Sequence, residues 1–360
     1  MQKEKSKVSP KLAVVCLILF SLFFFSTRIP RLYDDVINPD AVNWHFRSEQ
    51  FVNGLKYFQL EKTYQHYHPG VTLMWVTGLP VEIYKQISGE RIYNHENFED
   101  FDFTAKISLV FVQFVLTILI LFILSQLLGF WSALGITVFY SFEPFFTGNS
   151  RLYHLDTLFS LLTFLSLLFV YSGLEKRNNR HAVLGGVFGG LAFLTKSIGI
   201  GIFVYVFLAL FWAVWKKYVT TRYMLIFLST FLLSVFVFFP ALWVRPAYYI
   251  AEIFSESERI GLRRGHEQIV FGETLETAGP EFYFLVLLVK FSPFILLGTF
   301  FYFSWNLYKA IKGYKIAFTS EMKVIIFTGI FYLGYFLVMT LSSKKIDRYM
   351  VTLFPYFAVL

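Results

Sequence analysis

Long apolar segments recur along the whole chain and limit its possible folds more than any other feature. A helix needs about 20 mostly apolar residues to cross a membrane, and only helices and closed barrels satisfy their backbone hydrogen bonds in lipid. The composition agrees, with 56% hydrophobic and 16% charged residues, against about 25% charged residues in a soluble domain. We therefore predict an all-α polytopic membrane protein. The ten predicted spans are residues 12–26, 105–128, 130–147, 155–173, 182–196, 198–215, 223–244, 282–308, 323–341 and 349–360.

The first apolar segment has two interpretations. A basic start followed by the apolar residues 12–26 is also the pattern of a signal peptide. However, Thr27-Arg28-Ile29-Pro30 follows instead of a small-residue cleavage site, and many spans come after it. We therefore expect an uncleaved first helix.

Residues 182–215 are too long for one span. The polar, glycine-marked stretch Thr195-Lys196-Ser197-Ile198-Gly199 divides them, so a break is predicted at Lys196. Four glycines precede the break and would permit close approach of neighbouring helices. They are Gly185, Gly186, Gly189 and Gly190.

Lys and Arg cluster in loops that would lie on one side of the membrane. These loops are residues 175–181, 216–222 and 309–322, whereas the long first loop, 28–104, is rich in acids. Because cytoplasmic loops carry an excess of Lys and Arg, we predict a multi-pass plasma-membrane protein with a cytoplasmic N-terminus. The same rule accounts for the net charge of +8.

The expected organisation is one transmembrane domain over residues 1–360. The first span and the first outer loop are followed by spans two to seven at 105–244, a second outer loop at 245–281 and the last spans at 282–360. The sequence ends inside an apolar segment, which is the pattern expected if a C-terminal part is missing.

The first outer loop is predicted to carry short helices. Its many aromatic residues argue against disorder. Residues 38–50 read as a helix that begins after Pro39 and carries Asp40 near its start. Residues 70–87 are apolar but contain Pro80, which predicts a helix on the membrane surface or against the bundle.

The uncommon polar groups gather at the predicted outer face. Charges near membrane depth are costly and tend to be paired or functional. A carboxylate that faces several cations suits a substrate with an anionic group and a hydroxyl to be deprotonated. The set is Asp40, His45, His68, Arg151, His154, Asp156, Lys196, Arg259, Arg263, Arg264, His266, Glu267, Lys344, Lys345, Asp347 and Arg348.

Composition and spacing argue against several kinds of site. The single cysteine, Cys16, excludes disulfides and Cys-based metal sites within one chain. No basic face or base-reading motif is present, so nucleic acid is not an expected partner. The histidines lack ligand spacing on one helix. No metal or other cofactor is therefore expected, and a divalent metal ion is the alternative.

Six polar motifs follow one another along the predicted outer face. They are Pro39-Asp40-Ala41-Val42-Asn43-Trp44-His45, His68-Pro69-Gly70-Val71-Thr72-Leu73-Met74-Trp75, Ser150-Arg151-Leu152-Tyr153-His154-Leu155-Asp156, Gly190-Leu191-Ala192-Phe193-Leu194-Thr195-Lys196, Gly265-His266-Glu267 through Gly272-Glu273, and Ser343-Lys344-Lys345-Ile346-Asp347-Arg348-Tyr349 with Pro355. In this order they resemble motifs of the GT-C superfamily of membrane glycosyltransferases. The branch most similar contains the protein O-mannosyltransferases and the lipid A aminoarabinose transferase.

Two positions depart from the family pattern. The family often has Glu directly after the catalytic Asp, where this chain has Ala41. Asp40 is therefore the better catalytic candidate. Gly70 stands where proline is commoner.

The resemblance implies a GT-C-like bundle in the membrane, a sugar donor on a polyprenyl phosphate, and an extracytoplasmic acceptor that is a glycan, a lipid or a protein hydroxyl. A carboxylate can take the proton of the attacking hydroxyl, cations stabilise the departing phosphate, and a single displacement would invert the anomeric centre. The predicted base is Asp40. The predicted donor-phosphate contacts are Lys196, Arg264, Lys344 and Arg348. The predicted orienting or substrate residues are Arg151, Asp156, His68, His266 and Glu267.

These assignments have structural alternatives. Asp40 could cap the helix that it begins, and Arg151 could form an ion pair with Asp156. The cations that could instead contact lipid headgroups are Lys196, Arg264, Lys344 and Arg348.

A rival function is a transporter or flippase of a lipid-linked or anionic substrate, and a third is a membrane scaffold without catalysis. Transporters usually show internal repeats and polar residues at mid-membrane depth. This sequence shows neither feature, so sugar transfer is the favoured hypothesis.

Overall fold

A computed structural model describes residues 8–90, 92–94, 96–262, 268–270, 272–275, 278–314 and 319–360. Within this part the chain is helical apart from one antiparallel hairpin, formed by β1 (Gln268–Val270) and β2 (Glu273–Leu275). The helices are α1 (Pro10–Arg28), α2 (Pro39–Lys56), α3 (Val71–Ser88), α4 (Phe98–Leu128), α5 (Phe130–Ser141), α6 (Pro144–Arg151), α7 (Asp156–Lys176), α8 (Asn179–Thr195), α9 (Ile200–Trp215), α10 (Thr221–Phe238), α11 (Ala241–Val244), α12 (Pro246–Leu262), α13 (Phe282–Lys290), α14 (Pro293–Ile311), α15 (Ser320–Leu341) and α16 (Phe354–Phe357). The 3₁₀ segments are Leu60–Thr63, Ser197–Gly199 and Asp347–Leu353.

Six of the described helices are long and apolar enough to cross a membrane, so the protein is a multi-pass helical membrane protein as predicted. They are Pro10–Arg28, Phe98–Leu128, Asp156–Lys176, Ser197–Trp215, Thr221–Phe238 and Glu321–Leu341. A seventh span results if α13 and α14, which meet at an angle of 112°, cross the membrane together. The ten spans predicted from hydropathy are not found among the described helices.

The predicted spans that are not found lie where the chain cannot continue one long helix. Residues 130–147 divide because Glu143 caps α6: its Oε2 accepts a hydrogen bond from the Phe146 N–H at 2.9 Å, and Pro144 begins the helix. Residues 349–360 form part of a 3₁₀ segment and then the four-residue α16. The 17 residues of α8 are at the lower limit of the length of a membrane span, about 17–25 residues.

The most enclosed span is α7. The apolar 18-residue window of this helix is 94% buried, and α4 and α8 pack directly against it. A helix that is apolar on every side belongs inside a bundle rather than at its lipid surface. Its first residue, Asp156, is therefore held at a buried position from which the candidate site can be built.

The glycines of α8 allow close contact with α7 and α10, as predicted from the sequence. A Cβ atom on Gly186 would lie 2.0 Å from Thr230 Oγ1 and 2.7 Å from the Phe227 carbonyl oxygen of α10. A Cβ atom on Gly185 would lie 2.7 Å from Val170 Cγ2 of α7. These distances are too short for any larger side chain, so the small residues set the spacing between the helices.

The predicted break at Lys196 is confirmed. α8 ends at Thr195, Lys196 adopts an extended conformation with φ of −147°, and α9 begins at Ile200 after one 3₁₀ turn. The break keeps Lys196 out of both helices and allows its side chain to turn toward the start of α7.

The segment between α1 and α4 carries two helices of 18 residues each, α2 and α3. The apolar residues 70–87 fall within α3 and its N-cap, and α3 packs against α2, α4 and α8. Of the two positions predicted for this helix, the one against the bundle is therefore correct. α3 in turn supports α2, which carries Asp40 in its first turn.

Gly186→Ala is expected to destabilise the bundle. In an ordinary helix interior, alanine in place of glycine stabilises by about 0.5–1 kcal/mol, but here the new Cβ would meet the backbone of α10, and overpacking costs about 1–3 kcal/mol. Thermal unfolding in detergent should show a lower Tm. The control is Gly135→Ala in α5, where nothing lies within 4 Å of the new Cβ, and a Tm equal in both variants would contradict the packing argument.

Candidate active site

Asp40 lies in the first turn of α2 with its carboxylate directed away from the helix end. The helix is capped by Asn38, whose Oδ1 accepts a hydrogen bond from the Asp40 N–H at 3.1 Å. Asp40 Oδ2 instead accepts a hydrogen bond from Arg348 Nη2 and lies 3.5 Å from His154 Nε2. The alternative that Asp40 caps α2 is therefore wrong.

Asp156 is the buried acid of the same cluster, with 2% of its side chain exposed. Its Oδ1 accepts a hydrogen bond from Lys196 Nζ at 2.5 Å. Its Oδ2 lies 2.9 Å from His154 Nδ1 and 3.4 Å from Arg348 Nε. Neither Oδ2 contact has hydrogen-bond geometry, so the Arg348 guanidinium acts on Asp156 through its charge. Asp40, Asp156, Lys196, Arg348 and His154 thus form one connected ionic cluster.

His154 joins the two carboxylates of this cluster. One ring nitrogen faces Asp40 and the other faces Asp156. The sequence motifs assign no role to this residue, although it stands two positions before Asp156 in the motif over residues 150–156. Because α6 ends at Arg151 and α7 begins at Asp156, His154 lies in the turn that carries it between the two acids.

The polar contacts and charges of the cluster favour the ionised forms of Asp40 and Arg348. His154 lowers the pKa of Asp40 most; partial burial acts the other way, and Arg348 lowers the pKa further. Burial would lower the pKa of Arg348, but the charges of Asp156 and Asp40 outweigh it and raise the pKa above its usual value. In the structure described here, Asp40 is an ionised carboxylate with 44% of its side chain exposed.

A cavity of about 270 Å³ opens beside the cluster. Lys196, Lys344 and Tyr349 line its polar end, and the Lys196 ammonium lies 4.0 Å from the centre of the Tyr349 ring. The remaining wall is mostly apolar and comes from the 3₁₀ segment Ser197–Gly199 and from α9, α12 and α15. Its apolar side chains are Ile198, Ile200, Phe254, Ile260, Val338 and Met339. A cavity with cations at one end and an apolar wall suits an amphipathic anion.

His68 lies at the same cavity and is held by serines. Its Nδ1 lies 3.1 Å from Ser197 Oγ, which also accepts a hydrogen bond from Ser257 Oγ at 3.0 Å. Burial, followed by the charge of Lys196, lowers the pKa of His68 well below its usual value. A neutral imidazole on the cavity wall can donate or accept a hydrogen bond without adding charge.

Arg151 lies apart from the cluster and ties α1 to the turn before α7. Its Nε donates to Asp35 Oδ2 at 2.7 Å. Its other nitrogens donate to the backbone oxygens of Thr27, Arg28 and Pro30, at 2.9–3.2 Å. The alternative ion pair between Arg151 and Asp156 does not form. Arg151 pairs with Asp35, and Asp156 pairs with Lys196.

Three predicted site residues, Arg264, His266 and Glu267, lie outside the residues that the structure describes. Among the described residues, no group of three or more His, Cys, Asp or Glu side chains is arranged to hold a metal ion.

A second buried ionic cluster joins α2 to α4. His45 Nε2 lies 2.9 Å from Asp102 Oδ1, and Lys106 Nζ lies 2.5 Å from Asp102 Oδ2. The other His45 nitrogen lies 3.2 Å from the Tyr93 hydroxyl. His45 thus holds α2 to α4 and positions the helix that carries Asp40.

Comparison with known proteins gives a partial family match. Residues 98–243 match the model of the dolichyl-phosphate-mannose-protein mannosyltransferase family. This range contains Asp156 and Lys196 but neither Asp40 nor Arg348. No curated protein sequence matches the chain.

Two solved structures of one protein match almost the whole chain. ArnT from Cupriavidus metallidurans bound to undecaprenyl phosphate matches with a TM-score of 0.64 and 15% identity, over 98% of this chain and 59% of that one. The chain has an ArnT-like fold. ArnT in the apo state matches with a TM-score of 0.61 and 15% identity, over 96% of this chain and 58% of that one. The resemblance predicted from the six motifs is therefore confirmed, and the chain spans somewhat over half of the length of ArnT.

Lys196→Met is expected to destabilise the protein strongly. Removing one partner of a buried ion pair costs about 3–5 kcal/mol, and Asp156 would keep only its contacts with His154 and Arg348, which lack hydrogen-bond geometry. The control is Lys290→Met, whose half-exposed pair with Asp347 should contribute about 0–1 kcal/mol. Equilibrium unfolding in detergent compares the two variants. A Lys196→Met loss no larger than that of the control would contradict the buried-pair interpretation.

The Asp40 ion pair predicts a pH-dependent stability. Because folding lowers the Asp40 pKa, the pair stabilises the fold above the ordinary Asp pKa of about 3.9, and this contribution is lost as the pH falls below it. The Tm difference between wild type and Asp40→Asn should therefore be largest near neutral pH and shrink below about pH 4.

Thermal unfolding across this pH range measures the difference. Asp34→Asn, at an exposed position of the same segment, should follow the wild type throughout. A Tm gap between wild type and Asp40→Asn that stays constant as the pH falls would contradict the assigned role of the pair.

Proposed function

We propose that the protein transfers a sugar from a polyprenyl-phosphate-linked donor to an acceptor hydroxyl. The observation that carries this proposal is the accessible carboxylate of Asp40 in one ionic cluster with Lys196 and Arg348, beside a cavity with a cationic end and an apolar wall. The ArnT-like fold and the match to a mannosyltransferase family model support it.

The donor would lie with its phosphate at the cationic end of the cavity. Lys196 and Lys344 line this end. Arg348 is close by, because its Nε lies 3.4 Å from Asp156, the carboxylate that binds Lys196. The polyprenyl chain would follow the apolar wall between α9, α12 and α15 toward the lipid. Cations placed where a phosphate develops charge are among the most effective contributions to catalysis.

The reaction would be a single displacement that inverts the anomeric centre. The acceptor oxygen forms a bond to the anomeric carbon, while the bond from that carbon to the phosphate oxygen breaks. The hydroxyl proton passes to Asp40, and the bonding electrons leave with the polyprenyl phosphate. A positioned carboxylate is a suitable general base when it lies within hydrogen-bond reach of the hydroxyl.

Donor binding would also activate the base. With Arg348 and His154 in contact, Asp40 has a depressed pKa and is a weak base, because efficient general bases have pKa values near the working pH. A donor phosphate competes for Arg348 and would loosen its contact with Asp40. The pKa of Asp40 would then rise toward its ordinary value when the substrate is in place.

The other predicted residues would have supporting roles. Asp156 would hold Lys196 and Arg348 in position, and His68 would contact the donor from the cavity wall. Arg151 would fix the turn that carries His154. The roles first assigned to the residues of the second outer loop are still proposed, namely phosphate contact for Arg264 and substrate contact for His266 and Glu267.

The acceptor would be a glycan, a lipid or a protein hydroxyl. The site would face the extracytoplasmic side of the plasma membrane, with a cytoplasmic N-terminus, in line with the basic loops at the other ends of the spans.

The test is sugar transfer by purified protein from radiolabelled polyprenyl-phosphate donors. Asp40→Asn should lower the rate by about 10²–10⁴-fold, the usual contribution of a general base, while donor binding is retained. Asp34→Asn is the matched control and should keep the wild-type rate.

Transfer at an unchanged rate by Asp40→Asn would exclude Asp40 as the base. Movement of the lipid donor across vesicles without any transfer would instead support the flippase hypothesis.

A further inference from the structure

A second cavity, of about 640 Å³, lies at the opposite end of α7 from the candidate active site. The 21 residues of α7 separate the two by about 30 Å, since a helix rises 1.5 Å per residue. Three of the lining residues are cations and none is an acid. The lining includes Arg177, Lys217 and Arg222 together with Tyr218, Thr220 and Thr221.

The three cations come from different turns and meet at one cavity. Arg177 follows α7, Lys217 follows α9 and Arg222 lies in the first turn of α10. Within the part of the chain that the structure describes, none of the three forms an ion pair or a side-chain hydrogen bond. Their charges are therefore available to an anion in the cavity.

Two of these cations stand in an unusual backbone conformation. Arg177 has a φ of 51° and Lys217 a φ of 60°, a left-handed region that glycine usually occupies after a helix. A side chain in this region is strained, so its presence needs a reason. At both positions the sequence has a basic residue instead of glycine, which directs two cations to the same cavity.

The start of α10 adds further positive character. Thr220 precedes this 18-residue helix and makes no side-chain capping hydrogen bond. The first N–H groups of an α-helix lack partners within the helix and carry partial positive charge. Thr220, Thr221 and Arg222 at this helix start line the same cavity as Arg177 and Lys217.

Aromatic side chains place the cavity at headgroup depth. Trp212, Trp215 and Tyr218 are 52%, 69% and 58% exposed at this end of α9. Trp and Tyr concentrate at the boundary between hydrocarbon and headgroups. The cations of the cavity therefore lie where the phosphates of membrane lipids lie.

We propose that this cavity binds the phosphate headgroup of an anionic phospholipid from the leaflet opposite the candidate active site. The three cations and the start of α10 would hold the phosphate, and the hydroxyls of Tyr218, Thr220 and Thr221 would contact the glycerol headgroup. A volume of about 640 Å³ lies within the roughly 300–1,000 Å³ of small-molecule sites. The site does not depend on sugar transfer.

The test compares lipids on the intact protein in detergent. Delipidated protein is titrated with dioctanoyl phosphatidylglycerol, dioctanoyl phosphatidylcholine and inorganic phosphate, and binding is followed by native mass spectrometry and by the rise in Tm. We expect phosphatidylglycerol to bind at least about tenfold more tightly than either of the others, because it alone combines a net negative headgroup with acyl chains.

A pair of variants locates the site. Arg177→Asn, which tolerates the left-handed conformation, is combined with Arg222→Gln. Each cation near a lipid surface contributes about 1 kcal/mol, so losing two should weaken phosphatidylglycerol binding on the order of 25-fold. The matched control, Arg180→Gln with Lys216→Gln, removes the same charge from residues outside the cavity lining and should bind like the wild type.

Equal affinity for phosphatidylglycerol and phosphatidylcholine would overturn the proposal, as would equal losses in the two variant pairs. Inorganic phosphate that binds as tightly as the lipid would show a site for a soluble anion instead. If the cavity variant does not fold, the comparison of the three ligands on the wild-type protein still tests whether the site prefers an anionic phospholipid.

Discussion

The candidate site depends on one buried carboxylate. Asp156 is 2% exposed at the start of the most enclosed helix, and a buried charge is tolerated only when it is paired. Lys196, His154 and Arg348 meet this need from three different segments. The electrostatic requirement of one residue therefore draws the end of α8, the turn before α7 and the segment Asp347–Leu353 to the same point.

This arrangement links the structural ion pairs to the accessible carboxylate of Asp40. Arg348 contacts both Asp156 and Asp40. A change in the charge of one carboxylate therefore alters the electrostatic environment of the other. The cavity beside them receives cations that are already fixed in position by Asp156. Cations held near the phosphate site in this way stabilise the charge that develops on a departing phosphate, so the geometry favours transfer from a phosphate-linked donor.

Local patterns in the sequence predicted much of the fold, but they did not predict features that depend on distant residues. The break at Lys196 and the close approach of α8 were readable because a polar stretch and four glycines act over one or two helical turns. Residues 130–147 looked equally apolar, yet they divide at Glu143, whose Oε1 also accepts a hydrogen bond from the distant Ser292 N–H at 3.1 Å. A hydropathy average covers only neighbouring residues, so it contains no information about a hydrogen-bond partner this far away in the chain.

The sequence by itself determined a helical membrane protein, the break at Lys196 and the set of polar residues from which a site could be built. Only the tertiary structure decided which of them meet. It pairs Asp40 with Arg348 across 308 positions, inserts His154 between two acids and directs Arg151 to Asp35 instead. The physical reason is that charge pairing depends on distances of a few ångströms between segments far apart in the chain, and the tertiary packing of those segments sets the distances.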